Sequence, residues 1–442
     1  MIKIKKITTK LLLLLLVLII TACNSALPGQ PISEPEEENA MPTQSDPLPD
    51  VEPIVFTAVD ENDRAVLVKD NSDFAFDLYH QLKKESGNLL FSPYSISMAL
   101  GMTYAGARSN TEQQMADVLN FMDQPAFHPA VAFLNNDLNS LSTVPDDSDE
   151  QAFKLNIANS IWGQEGYAFQ DAFLDILSSY YGAGLQQVDY INNAEKARQQ
   201  INAWIEKETN NKIKDLIPSG VLDSMTRLVL ANAIYFNAAW QNQFLEPATS
   251  DAPFTLVDGT EISTPTMHLK ESFAYADING TQVIELPYQQ YSASMIVILP
   301  ERENFAEFES SLDAAVLQDM FNNLQSAEVM LSFPKFKYEA KLDLVSTLGQ
   351  MGLRDPFNPQ AADFSGMDGT RGLYISNILH KAFIDVDENG TEAAAATAVV
   401  MKLTSAKPGD PVEMKVDHPF IYLIKDNKTN TILFMGRVMD PR

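Results

Sequence analysis

Apolar residues follow two different periods along this chain. In the first half they recur every three or four positions, as on one helix face; later they alternate or run together, as in strands. Phe74, Leu78 and Leu82 predict a helix ended by Gly87-Asn88, with a short apolar strand after it. Ser92-Pro93 opens another helix, because serine caps helix N-termini and proline suits the first helical position. Ile96, Ala99, Leu100 and Thr103 form its inner stripe. Asn110 and Gln113 have capping-box spacing ahead of Met115, Val118 and Leu119. Ala197, Ile201, Trp204 and Ile205 mark a further amphipathic helix. Residues 228–236 are apolar on both faces, as in a central strand covered from both sides, and 294–299 and 329–333 read the same way. Residues 420–424 and 431–435 flank Asp426-Asn427-Lys428, a turn-rich hairpin. Helices early and strands late predict an α+β fold.

Residues 388–405 break this scheme. They follow a strand-like run, 380–386, and carry little side-chain bulk at first. Alternate positions Thr391, Ala393, Ala395, Thr397, Val399, Met401 and Leu403 are uncharged. The other face holds Glu392, Ala394, Ala396, Ala398, Val400 and Lys402, with its two charges at the ends. Alternate side chains of a strand point to opposite faces, so the segment reads as a strand left out of its sheet. A charge on the inward face would be costly to bury, and proline would remove ladder hydrogen bonds; the first proline is Pro408. Gly390 supplies backbone freedom at the turn into a sheet. The competing reading is a short helix through Ala393–Ala398 capped by Asn389 or Thr391, since alanine is the best helix former.

The N-terminus has another logic. Lys3, Lys5, Lys6 and Lys10 precede an apolar run of ten residues, 11–20, and then Thr21-Ala22-Cys23. This is the layout of a secretory signal ending in a lipobox, too short to span a bilayer. Residues 1–22 are the signal, and Cys23, the only cysteine, is the expected lipidation site. An exported body without disulfides must be stable without them. Asn24 in place of Asp favours the outer of two membranes. Residues 23–56 are a Pro-rich acidic tether containing Glu36-Glu37-Glu38, and 57–442 form one domain. The chain carries a formal charge of −28, which becomes −32 when the leader leaves with its four lysines. So acidic a chain excludes nucleic acid and charge-driven membrane binding.

Candidate chemistry is sparse. The stretch from Asp385 to Gly390 looks like the start of a calcium loop, but its twelfth position, where a bidentate Glu belongs, is Ala396. There is no HExxH, phosphate loop, GxSxG or paired-cysteine pattern, so no metal, no cofactor and no catalytic residue is expected.

Asp387-Glu-Asn-Gly-Thr-Glu-Ala-Ala-Ala395 resembles the reactive-centre loop hinge of serpins. Other serpin-like strings follow family order: Asn88-Leu-Leu-Phe-Ser-Pro-Tyr-Ser-Ile-Ser97, Leu230-Ala-Asn-Ala-Ile-Tyr-Phe236 with Trp240, and Leu331-Ser-Phe-Pro-Lys-Phe336. His380-Lys-Ala-Phe383, His418-Pro-Phe-Ile-Tyr-Leu423 and Leu433-Phe-Met-Gly-Arg437 complete them. The resemblance runs from about Leu67 to the C-terminus. It implies a large, mainly antiparallel central sheet, two smaller sheets, surrounding helices and an exposed loop at about 388–413. It also implies a suicide inhibitor of serine proteases, with a non-inhibitory binding serpin as the alternative.

On that resemblance the hinge is Glu388, Gly390, Thr391, Glu392, Ala393, Ala394, Ala395 and Ala396. Ser92, Ser95, Asn232 and His380 form a polar cluster beneath the opening of the sheet, and Trp240 sits near its top. Counting from Glu388 puts the scissile bond at Thr404–Ser405, with Leu403 and Lys402 as alternatives. Counting back from His418 puts it nearer Lys407–Pro408. Thr404 suits an elastase- or subtilisin-like protease, Leu403 a chymotrypsin-like one and Lys402 a trypsin-like one. The expected product is a monomer whose only membrane contact is its lipid, facing outward or into the periplasm.

Overall fold

The computed structural model describes residues 60–141, 154–182, 184–391 and 410–442. Its helices are α1 (Glu61–Leu82), α2 (Pro93–Tyr104), α3 (Ser109–Leu119), α4 (Gln124–Leu141) and α5 (Asp171–Ile176). The rest are α6 (Tyr190–Glu208), α7 (Phe305–Ser311), α8 (Ala314–Asn323), α9 (Leu344–Met351) and α10 (Ser365–Asp368). Strands, numbered along the chain, begin with β1 (Leu89–Phe91), β2 (Lys154–Gln164), β3 (Leu185–Val188) and β4 (Leu228–Ala239). There follow β5 (Ser250–Thr255), β6 (Glu261–Ile278), β7 (Thr281–Pro287), β8 (Ala293–Leu299), β9 (Gln325–Pro334) and β10 (Phe336–Asp343). The last are β11 (Asn377–Val386), β12 (Gly390–Thr391), β13 (Val412–Lys415), β14 (Phe420–Asp426) and β15 (Ile432–Val438).

The main sheet is six-stranded, in the order β10-β11-β12-β4-β2-β3, and mostly antiparallel. The remaining strands form one nine-stranded sheet, β1-β15-β14-β8-β7-β6-β9-β13 with β5 on β6. The two smaller sheets expected from the sequence are therefore hydrogen-bonded into one. The 18-residue β6 joins them, pairing β5 at its start, β9 along its middle and β7 at its end.

β4 explains its own sequence. Leu228, Leu230, Ile234 and Phe236 enter the main core, which α1 and α2 share. Val229, Ala231 and Ala233 face the other way, under Ala197, Ile201 and Ile205 of α6 and Ile213 and Ile217 beyond it. Burying each larger aliphatic side chain contributes roughly 1.5–3 kcal/mol. The returning segment is fixed by Asn202, whose amide exchanges two 2.9 Å hydrogen bonds with the Ile217 backbone.

Several expectations change. α1 stops at Leu82, before Gly87 with its φ of +92°. α2 is capped as expected, Ser92 accepting from the Ser95 amide, but all twelve of its residues are buried rather than one stripe. The Asn110 capping box does not form. Arg108 holds the cap position without a side-chain capping bond, and Asn110, inside the helix, donates to Asp355. Residues 329–333 are covered on one face only, with Met330 exposed, because β9 lies beside β6 and β13 with one side to solvent.

Candidate functional site at the seam of the main sheet

β11 and β4 run parallel from Asn377↔Val229 to Ala382↔Ile234. Above that stretch β12 lies between them: Thr391 pairs with Val386 on one side and Ala238 on the other, antiparallel to both, and Gly390 pairs with Ala239. The chain from Asp387 to Thr391 thus turns out of β11 and starts down the seam.

This hinge end is densely held. The Asp387 amide donates to the Gly390 carbonyl at 3.0 Å, closing the turn. The Asp387 carboxylate accepts from the Asn389 and Gly390 amides at 2.8 and 3.3 Å. Burial raises this carboxyl above its ordinary range despite those two amides. The Trp240 indole donates to the Asp387 carbonyl at 2.9 Å, and its backbone amide to the Asn389 carbonyl at 2.8 Å. The Glu388 side chain is buried between Lys335 Nζ at 2.7 Å and the Thr249 hydroxyl at 2.6 Å. Burial pushes its carboxyl up, but the Lys335 and Thr249 bonds outweigh that and hold it below the usual range. Thr391 Oγ1 lies 2.7 Å from Tyr288 Oη, and the Tyr288 ring stacks on Trp240 at 4.6 Å and 9°.

Gly390 is needed for a reason other than the one expected. Its φ lies outside the left-handed region. A Cβ there would stand 2.1 Å from the Ala238 carbonyl oxygen, so only glycine lets the hinge reach β4.

Lower down, cross-strand register aligns Asn159 of β2, Asn232 of β4 and His380 of β11 in one row. His380 is fully buried, and burial lowers its imidazole to about 3, so it is neutral at pH 7. Its Nε2 accepts from the Ser92 backbone amide at 3.1 Å. That bond assigns the proton to Nδ1, which donates to Asn232 Oδ1. The two N–H groups of Asn232 then face three acceptors: Ser95 O and Ser95 Oγ, each at 2.7 Å, and Asn159 Oδ1. Because His380 Nε2 is taken by a backbone amide, the Ser92 hydroxyl and the imidazole are not arranged as nucleophile and base.

The structure thus brings Ser92, Ser95, Asn232 and His380 into one cluster, and Glu388, Gly390, Thr391 and Trp240 into another. Glu392, Ala393, Ala394, Ala395 and Ala396, the bait candidates Lys402, Leu403, Thr404 and Ser405, and Cys23 lie outside the described residues. Four partners escaped the sequence reading: Asn159, Thr249, Tyr288 and Lys335. Lys335 stood inside the string Leu331–Phe336, whereas Asn159 lies in a mixed run, 155–162, with Asn156 and Ser160 beside it. Thr249 and Tyr288 carried no signal.

A family model described as "Serpin (serine protease inhibitor)" matches residues 69–441. Leukocyte elastase inhibitor A of Rattus norvegicus is 38% identical over 382 residues, covering 84% of this chain and 98% of that protein. Serpin B3 of Homo sapiens is 40% identical over 386 residues, with the same two coverages. Among solved structures, human thyroxine-binding globulin complexed with thyroxine superposes with a TM-score of 0.76 at 30% identity, covering 86% of this chain and 99% of that one.

Proposed function

The chain belongs to the serpin family, and from that premise we propose that it is a suicide inhibitor of serine proteases. The observation that carries this reading is the hinge: Thr391 already sits between β11 and β4, antiparallel to both, while the seam below it is still closed. Serpin loop insertion is the established example of strand addition with release of stored strain. The protease serine attacks the carbonyl carbon of the bait residue, near Thr404. The peptide C–N bond breaks, the new amine leaves with the C-terminal segment, and an ester joins the bait to the enzyme. The freed segment then continues down the seam from Thr391, moving the ester-linked protease with it. Losing one oxyanion-hole donor slows a protease by about 10²–10³-fold, so modest distortion is enough to stall deacylation.

In this reading Asn232, His380, Ser92 and Ser95 act as a shutter whose bonds must be exchanged as the strand passes. The small side chains of the segment favour insertion over hydrolysis. Thr391→Arg places a charge at a buried seam position and is expected to turn the inhibitor into a substrate; undiminished complex formation would sink the idea.

The decisive experiment incubates the protein with elastase, subtilisin, chymotrypsin and trypsin, read by denaturing gel and intact mass. The expected product is an SDS-stable adduct, with a C-terminal peptide beginning near Ser405. Clean loop cleavage without an adduct from any protease would point instead to a binding serpin, a reading that the likeness to thyroxine-binding globulin supports. We further assign residues 1–22 as a lipoprotein signal, Cys23 as the anchor and 24–56 as a spacer that carries the domain off the cell envelope. Fatty-acid labelling that persists in Cys23→Ser would refute the anchor.

A further inference from the structure

A groove of about 900 Å³ lies among α1, α4, α8 and the turn between β14 and β15. Its apolar wall includes Val68 of α1, Phe133 and Leu134 of α4, and Leu317 and Phe321 of α8. Glu61 and Arg64, from the first turn of α1, line the same groove. The described chain therefore begins at the edge of its own groove.

The sequence just before that edge is unlike the rest of the tether. Residues 24–50 are rich in proline, serine and acid, whereas Val51-Glu-Pro-Ile-Val-Phe-Thr-Ala-Val59 carries one charge and seven apolar or proline side chains. The stretch precedes the family-matched region, which starts at residue 69, so the serpin match does not account for it. Left in water, Ile54, Val55 and Phe56 would be an apolar run with no gain from it. Nine extended residues reach about 30 Å, and the covalent link to α1 gives the segment an effective concentration in the millimolar range for so short a connection.

We propose that residues 51–59 fold back from Asp60 and occupy this groove, with Ile54 and Phe56 as its apolar anchors. The segment is then part of the body, which shortens the spacer assigned above from residue 56 to about residue 50. The proposal does not depend on protease inhibition.

The test uses the full chain carrying Cys23→Ser, so that introduced cysteines are the only thiols. The pair Phe56→Cys with Gln318→Cys, the latter on the α8 rim of the groove, should form an intrachain disulfide under mild oxidation. The pair Gln44→Cys with Gln318→Cys should form it far more slowly. Separately, Ile54→Asp with Phe56→Asp should raise binding of an apolar fluorescent dye several-fold, leave the α1 helix signal intact and expose residues 51–59 to proteolysis. Strong dye binding by the unsubstituted chain together with equal crosslinking of the two pairs would overturn the proposal. An interchain disulfide that grows with protein concentration would overturn it in favour of a second copy as the occupant.

Discussion

The hinge end and the buried cluster hold the same seam by different means. At the hinge, backbone carbonyls of Asp387, Glu388 and Asn389 accept from Trp240 and Phe244, and a buried carboxylate meets a half-exposed lysine. Each of these bonds can be broken without separating β11 from β4. Below, four neutral side chains and the Ser92 amide close a network that spans β2, β4, β11 and α2. A strand entering between β4 and β11 must part His380 from Asn232, and that leaves the rest of the network short of a partner. The upper hold is thus a latch that yields bond by bond, and the lower one yields only as a unit, since a partly satisfied buried network is costlier than either a complete one or none.

The largest expected effect tests that unity. Asn232→Leu leaves the His380 N–H and the Ser95 and Asn159 acceptors short of partners, at about 1–3 kcal/mol for each orphaned group. Urea unfolding should show a loss of about 3 kcal/mol or more. A loss no greater than that from a latch variant would erase the distinction between the two holds.

Acid separates them next. Unfolded histidine takes its proton near pH 6.5, whereas His380 in the fold resists until about 3. Between those values the unfolded chain binds more protons, so stability falls as pH falls, by up to ~1.4 kcal/mol per unit for one proton. His128, lowered by burial to about 4, titrates in the same window. The readout is therefore the difference between wild type and His380→Gln, which should show the shallower slope. Glu388 behaves otherwise. Its depressed carboxyl contributes above the ordinary glutamate range and loses its contribution only as pH falls through its lower folded value. Glu388→Gln should leave the slope above pH 5 unchanged.

Gly390→Ala should cost about 1–3 kcal/mol, the usual range for overpacking. Its signature is local: the Trp240 amide should exchange hydrogen faster while the Ser92 amide stays protected. Glu388→Gln is the mildest, about 1 kcal/mol for a charge-assisted bond to a lysine that is 35% exposed. Combined with a substitution at His380, it should add to within about 0.5 kcal/mol, as distant sites do. A larger coupling would mean the latch and the cluster are one device.

Much of this arrangement was legible from local chemistry. Ser92-Pro93 announces the start of α2, and the two-sided apolar run announces β4. What could not be read were pairings set by register. Thr249 and Glu388 are 139 residues apart, and Asn159 and Asn232 meet only because β2 and β4 align as they do. Gly390 was singled out for backbone freedom, where the structure shows closeness to Ala238 instead; composition cannot tell these apart. Residues 329–333 failed for a similar reason, since a short apolar run does not say which of its faces another layer covers.

The parallel pairing of β4 and β11 has one more consequence. The strands to either side of this pair, β2 and β10, run antiparallel to it, so six like-directed rungs interrupt the otherwise alternating run β10-β11-β4-β2. In a crystal this would be called a dislocation. Its energy scales with its length, since parallel rungs are slightly weaker than antiparallel ones, and no local rearrangement of rungs can anneal it. Only an extra row restores the alternation, and that row has one permitted direction, the direction in which Thr391 already points.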